Sequence, residues 1–77
     1  MTIGTKISNS IFMYQMIGWD RNITFDATKR RVMITDAQDG TVLSDKDLGE
    51  DGDMDYEDFI LYAMNIHLDF IDLIHSN

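Results

Sequence analysis

The sequence predicts one α+β domain, in which a short N-terminal helix and an antiparallel meander of two or three strands precede a long amphipathic helix packed on the sheet. Three observations support this fold class. A short apolar run follows two serines, alternating apolar and polar residues occupy the middle of the chain, and apolar residues at a helical period occupy its end. A chain of 77 residues is too short for a second core, so residues 1–77 form a single domain.

The first predicted element is a short helix over residues 10–18. Ser8 and Ser10 are residue types that commonly cap a helix N-terminus, and Gly18 lies where a helix commonly ends. The run between them is apolar at nearly every position, so its period does not separate a helix from a strand. We prefer the helix because Met and Gln have high helix propensity.

Residues 22–44 are predicted to form the meander. Two pairs of apolar residues alternate with polar residues on either side of a polar turn, and an Asp-Gly pair then precedes a short third strand at 41–43. Lys29, Arg30 and Arg31 cluster at the first turn. We interpret this cluster as a solvated turn that discourages edge pairing, and the alternative is an anion-binding site.

Residues 45–58 are called the acidic segment below, because eight of these fourteen residues are acidic. Its first part, residues 45–55, has two glycines and few apolar side chains, which predicts a loop. From residue 56 to residue 75 the apolar residues recur at a helical period and cover about half of the helix circumference. The sequence therefore predicts one long helix at 56–75.

The predicted core joins the apolar faces of the strands and of the long helix, because each needs an apolar partner. Its members are Phe25, Val32, Ile34, Phe59, Ile66 and Phe70. Met64 and His67 lie within the apolar arc of the helix and are therefore expected to face the core. We predict that His67 is a hydrogen-bonded core residue rather than a ligand.

Charge divides the chain into two unlike parts. Residues 1–34 carry five basic and two acidic residues, whereas residues 35–77 carry twelve acidic residues and one lysine, a net charge of −11. Such an acidic half repels nucleic acid and anionic membranes, and it favours basic protein surfaces or cations. We therefore expect no direct binding to nucleic acid and no binding to membranes.

Composition also bears on location and chemistry. The chain has no cysteine, which excludes disulfides and thiolate zinc sites and fits a reducing compartment. No apolar run approaches the ~18 residues of a membrane span, and no signal peptide is recognisable, so we expect a soluble cytoplasmic protein. General acid–base catalysis needs a desolvated carboxylate, and a solvated acidic loop does not provide one. No enzymatic activity, catalytic residue or cofactor is therefore predicted.

Residues 47–59 resemble an EF-hand calcium loop. Four aspartates fall at ligand positions one, five, nine and twelve of that loop: Asp47, Asp51, Asp55 and Asp58. Gly52 falls at the sharp turn, but position three is Gly49, which offers no side-chain oxygen. The residues before the loop predict a strand rather than an entering helix. In lacking an entering helix the loop is similar to the dockerin variant, a family that pairs two such loops. The resemblance implies a Ca²⁺ ion bound by the four aspartates.

The acidity itself suggests a different function. Carboxylates at phosphate-like spacing on a rigid scaffold can occupy a cationic groove built for nucleic acid. Asp69 and Asp72 lie about 4.5 Å apart along a helix axis, and adjacent phosphates of one DNA strand have a spacing of similar order. In size, lack of cysteine and concentration of acid, the chain resembles the small phage-encoded inhibitors that mimic DNA, among them anti-restriction, anti-CRISPR and uracil-DNA-glycosylase-inhibitor proteins.

That resemblance implies a non-enzymatic inhibitor that binds a basic protein, such as a host nuclease or a DNA-binding protein, at its nucleic-acid groove. The predicted partner-binding residues are Asp47, Glu50, Asp51, Asp53, Asp55, Asp58, Tyr62, Leu68, Asp69 and Asp72. Three alternatives stay open. They are a Ca²⁺-binding module, a structural or adaptor subunit whose helix pairs with a partner or forms a homodimer, and an acidic face that only keeps the protein soluble.

Overall fold

Within the described residues, the fold is a five-stranded antiparallel sheet with one long helix on one of its faces. The computed structural model describes residues 4–75, and the side chains of residues 4–69. The strands are β1 (Gly4–Lys6), β2 (Ile11–Met16), β3 (Arg21–Asp26), β4 (Arg31–Asp36) and β5 (Val42–Asp47). A 3-10 helix (Gly49–Gly52) and the long helix α1 (Tyr56–His75) follow. The strands lie side by side in chain order, as a meander does.

Residues 11–16 form strand β2, so the predicted N-terminal helix at residues 10–18 is wrong. Phe12, Tyr14 and Met16 alternate along this strand, and all three are buried. β2 is paired on both sides, with β1 and with β3. Because pairing on two sides satisfies its backbone while alternate side chains enter the core, tertiary context overrides the helix propensity of Met and Gln.

The sheet has five strands, so the prediction of two or three is also wrong. β1 is an additional edge strand, β2 replaces the predicted helix, and the strand predicted at 41–43 continues as β5 through Asp47. Asp45 and Lys46 therefore lie in a strand rather than in the loop predicted at 45–55. All six residues of β5 are exposed, so its pairing with β4 rather than apolar burial holds it in place.

The core lies between α1 and one face of the central strands. The sheet register places Phe12 opposite Phe25, and Phe25 opposite Val32. Phe59 of α1 covers this row, with its ring centroid 5.7 Å from that of Phe25 and 6.1 Å from that of Phe12. The buried apolar side chains of the described residues are Phe12, Tyr14, Met16, Ile23, Phe25, Val32, Phe59 and Ala63.

The predicted core agrees with this arrangement only in part. Phe25, Val32 and Phe59 are buried, whereas Ile34 and Ile66 are half-buried and pack against the core. The side chain of Phe70 lies outside the described residues. Three buried residues that the prediction omitted belong to β2, because its sequence was interpreted as a helix.

α1 runs along β2 in the same direction. The ring of Tyr56 meets that of Phe12 edge-on at 5.5 Å, and a hydrogen bond of 3.0 Å joins the Tyr14 hydroxyl to Nδ1 of His67 farther along the helix. The hydrogen bond predicted for His67 is therefore present, but the residue is half-buried rather than part of the buried core. Burial raises the pKa of the Tyr14 phenol above its usual value. No helix among residues 4–75 is long and apolar enough to cross a lipid bilayer.

Candidate functional site

The acidic segment, residues 45–58, lies at the end of the sheet where β5 ends and α1 begins. It starts within β5, passes through the 3-10 helix at Gly49–Gly52 and ends in the first turn of α1. Leu48 and residues 53–55 are the only parts of the segment outside regular elements. The carboxylates are therefore carried on a defined backbone, and the loop predicted at 45–55 is partly replaced by the end of β5 and by the 3-10 helix.

The turn between β3 and β4 anchors the acidic segment. The backbone N–H of Leu48 donates a hydrogen bond of 2.9 Å to the carbonyl oxygen of Arg30. The guanidinium of Arg31 donates two hydrogen bonds, of 3.1 and 2.8 Å, to the carboxylate of Asp45. These contacts hold the start of the acidic segment against the basic turn, and they leave Arg31 paired with Asp45 rather than available to an external anion.

Gly52 fits closely against the same turn, and Gly52→Ala is expected to destabilise the domain by about 1–3 kcal/mol through overpacking. A β-carbon at Gly52 would lie 2.6 Å from Cβ and 3.2 Å from Cα of Arg30, so the backbone of the segment would have to move. Chemical denaturation measures the change. Asp53→Ala, at an exposed neighbouring position, is the matched control and should change stability by less than about 0.5 kcal/mol. Equal stability of the two variants would show that the segment is not packed on the turn.

Two carboxylates of the segment are used to fix its own backbone. Oδ1 of Asp47 accepts a hydrogen bond of 3.0 Å from the N–H of Gly49, and Oδ1 of Asp55 accepts one of 2.8 Å from the N–H of Asp58. Asp55 therefore caps the N-terminus of α1. The acidic Glu57 and Asp58 in the first turn complement the positive end of the helix macrodipole.

The remaining charge of the segment is not neutralised. Asp45 is paired with Arg31, but seven other exposed carboxylates make no ion pair with any residue that the structure describes. They are Asp47, Glu50, Asp51, Asp53, Asp55, Glu57 and Asp58. Concentrated like charge attracts cationic surfaces and repels its own members, so this end of the domain has an electrostatic preference for a basic partner.

The structure gives no support to the four aspartates proposed as calcium ligands. Within the described residues, no group of three or more His, Cys, Asp or Glu side chains is placed to hold a metal ion. β5 occupies the position that the entering helix takes in an EF-hand. Asp47 and Asp55 already accept backbone hydrogen bonds. The calcium module stays a prediction of the sequence alone.

Millimolar Ca²⁺ is accordingly expected to leave the melting temperature unchanged, in the parent protein and in Asp51→Ala alike. A ligand that binds the folded state stabilises it by mass action, by about 2.7 kcal/mol at a hundredfold excess over its Kd. Differential scanning fluorimetry with and without chelator measures the shift, and Mg²⁺ at equal concentration controls for general charge screening. A rise in melting temperature that Ca²⁺ alone produces and Asp51→Ala abolishes would establish the calcium site.

The outer face of α1 continues the site with an apolar stripe, the name used below for Leu61, Met64 and Leu68. Their side chains are 61%, 41% and 55% exposed. The spacing of three and seven residues places them on one side of the helix. The exposure of Met64 corrects the expectation that it faces the core. The sequence predicted Leu68 as a partner-binding residue, but it missed Met64 as part of the stripe because helical periodicity assigned Met64 to the apolar arc.

The predicted partner-binding residues of α1 fall in different environments. Leu68 is exposed within the apolar stripe, and Asp69 is exposed beside it. Tyr62, predicted as an anchor, is half-buried and packs against the core, so part of its surface is committed to the fold. The side chain of Asp72 lies outside the described residues.

The sheet face opposite α1 carries a groove of about 510 Å³. Its lining residues are Ile11, Thr24, Asp26, Lys29, Arg31, Met33 and Asp45. Arg31 and Asp45 in this lining are bound to each other, and Oδ1 of Asp26 accepts backbone N–H bonds from Thr28 and Lys29. Three of the four charged side chains of this groove, those of Asp26, Arg31 and Asp45, are therefore already engaged within the fold.

Comparison of the chain with known proteins finds no matching family model, no matching curated protein and no matching solved structure.

Proposed function

We propose that this protein is a non-enzymatic, cytoplasmic inhibitor or adaptor that binds a basic protein through its acidic segment and the adjoining outer face of α1. One observation supports the proposal above the others. Seven exposed carboxylates on a structured backbone make no ion pair with the described part of the chain. Self-repulsion among them destabilises the free protein, and a cationic partner would relieve it.

The arrangement is better suited to binding than to catalysis. The seven carboxylates are exposed and therefore solvated, whereas a general acid or base is usually tuned by desolvation. Exposed charge acts instead on the encounter between proteins, because a field of one sign accelerates association with a surface of the opposite sign.

The partner that we propose is a protein whose basic groove binds nucleic acid, as in the DNA-mimicking inhibitors that the chain resembles in character. Asp58 and Asp69 lie about 16.5 Å apart along the axis of α1, so the helix extends the row of negative charge beyond the acidic segment. Carboxylates carried on fixed elements need less ordering on binding than carboxylates on a mobile loop. The acidic segment would then occupy the positions of phosphates.

Capture followed by competition tests this function. The immobilised protein is incubated with a bacterial lysate at low salt, and proteins are eluted by steps of increasing salt. Each captured protein is then titrated against fluorescent duplex DNA, with and without this protein. Mutual exclusion from one site is the expected result. If salt does not weaken the capture of a lysate protein, docking is not electrostatic. If a captured protein binds DNA and this protein at the same time, mimicry is wrong.

A further inference from the structure

We infer that the apolar stripe of α1 binds a basic amphipathic helix of the partner, a helix with apolar side chains on one face and lysine or arginine beside them. This inference rests on the proposed function and specifies which element of the partner lies on α1. It follows from the shape of the stripe, from the charge around it and from the cost of covering it with a second copy of this chain.

The shape of the stripe is a straight ridge. Leu61 and Leu68 lie about 10.5 Å apart along the axis, two helical turns, with Met64 between them. All three are exposed. Phe59 and Ala63, on the other side of α1, are fully buried against the sheet, so packing within the domain leaves the ridge uncovered. A row of side chains spaced in this way packs into the groove between two rows of another helix.

The charge around the stripe is entirely acidic within the helix. α1 contains no lysine and no arginine. Glu57 lies one turn before Leu61 on the same side of the helix. Asp58, Asn65 and Asp69 form an exposed polar row alongside the stripe. A helix that buries the ridge would therefore bring one of its flanks against carboxylates, and lysine or arginine on that flank would be complementary.

A second copy of this chain is a poor occupant of the same ridge. An antiparallel pair of α1 helices that sets Leu61 against Leu68 of the other copy also sets Glu57 against position 72, which is an aspartate. A parallel pair sets Glu57 against its own counterpart. Both arrangements oppose like charges, which is destabilising. The surface charge that disfavours a homodimer is the charge that favours a basic helix.

Two synthetic helical peptides of about 18 residues and equal positive charge test the inference. The first has leucines at i, i+3, i+4 and i+7 flanked by lysine and arginine, and in the second each leucine is serine. Binding to the full chain is measured by titration calorimetry and by amide shifts. We expect the first peptide to bind about tenfold more tightly than the second, because only it can bury the leucines of α1. The amide shifts should include residues 61–68.

Matched variants assign the effect to the stripe. Leu61→Ser with Leu68→Ser should remove the tenfold preference for the first peptide. Ile17→Ser with Val42→Ser, at positions 52% and 53% exposed outside α1, should leave it intact. Thermal melts of both double variants check that each is folded, and the preference is compared only between folded proteins.

The outcomes separate this inference from the proposed function. If both peptides bind equally and shift only residues 45–58, the helix inference is wrong and electrostatic docking stands. If neither peptide binds at low salt, both are wrong. If sedimentation of the peptide-free protein shows a dimer that Leu61→Ser with Leu68→Ser dissociates, the occupant of the stripe is a second copy and the inference is wrong.

Discussion

Phe59→Ala is expected to destabilise the domain by about 3–5 kcal/mol, the range for truncating a buried aromatic side chain. Phe59 is fully buried, and its ring stacks on that of Phe25 and packs against that of Phe12. Through Phe59, α1 therefore contacts β2 and β3 at once. Because a small domain has a total stability of about 5–15 kcal/mol, this one change removes a large share of it.

Urea denaturation followed by far-ultraviolet circular dichroism measures this effect. Leu61→Ala is the matched control, because it lies in the same helix two residues away and its side chain is 61% exposed. It should change stability by no more than about 0.5 kcal/mol. If Phe59→Ala and Leu61→Ala unfold at the same urea concentration, α1 does not pack on the sheet through Phe59.

The long helix could be predicted from sequence because its signal is local and repeated. Apolar residues recur at a helical period through residues 56–75, and the structure has α1 at Tyr56–His75. The same period failed at finer detail. Met64 lies at the border between the buried and exposed sides, and the sequence does not show how far the sheet extends beneath it.

Strand β2, and the part of β5 beyond the predicted residues 41–43, could not be predicted because their determinants are not local. In β2 nearly every residue is apolar, so both periods fit, and only pairing with β1 and β3 selects the strand. In β5 all six side chains are exposed, so no buried face marks it. Its register with β4, including a shift between Ile34 and Thr35, is a property of the assembled sheet.

The candidate site divides in the same way. Its acidity is a matter of composition and could be predicted without a structure. Its anchorage could not, because the contacts of Leu48 with Arg30 and of Asp45 with Arg31 join residues that are distant in sequence. In the sequence the basic turn and the acidic segment are two separate features. In the folded protein the basic turn supports the acidic segment.

Neutralising three exposed carboxylates of the acidic segment, with Asp51→Asn, Asp53→Asn and Asp55→Asn together, is expected to weaken binding to the basic partner about tenfold. Exposed ion pairs contribute roughly 0.5 kcal/mol each, and about 1.4 kcal/mol corresponds to a factor of ten. The fold should be kept, because asparagine at position 55 can still accept the hydrogen bond that Asp55 accepts from the N–H of Asp58. Stopped-flow association measures the effect, which should fall mainly on the association rate.

A second triple variant controls for net charge. Asp20→Asn, Asp36→Asn and Asp39→Asn remove the same charge from the opposite end of the sheet, where the N–H of Ala37 bonds the carbonyl oxygen of Asp20. Asp36 and Asp39 accept backbone hydrogen bonds there that asparagine can also accept. At physiological salt the Debye length is about 8 Å, so this distant triple variant should leave the association rate nearly unchanged.

The difference in association rate between the two triple variants should shrink as salt rises. Equal weakening by both would show that net charge alone drives binding, and the acidic segment would then have no special role.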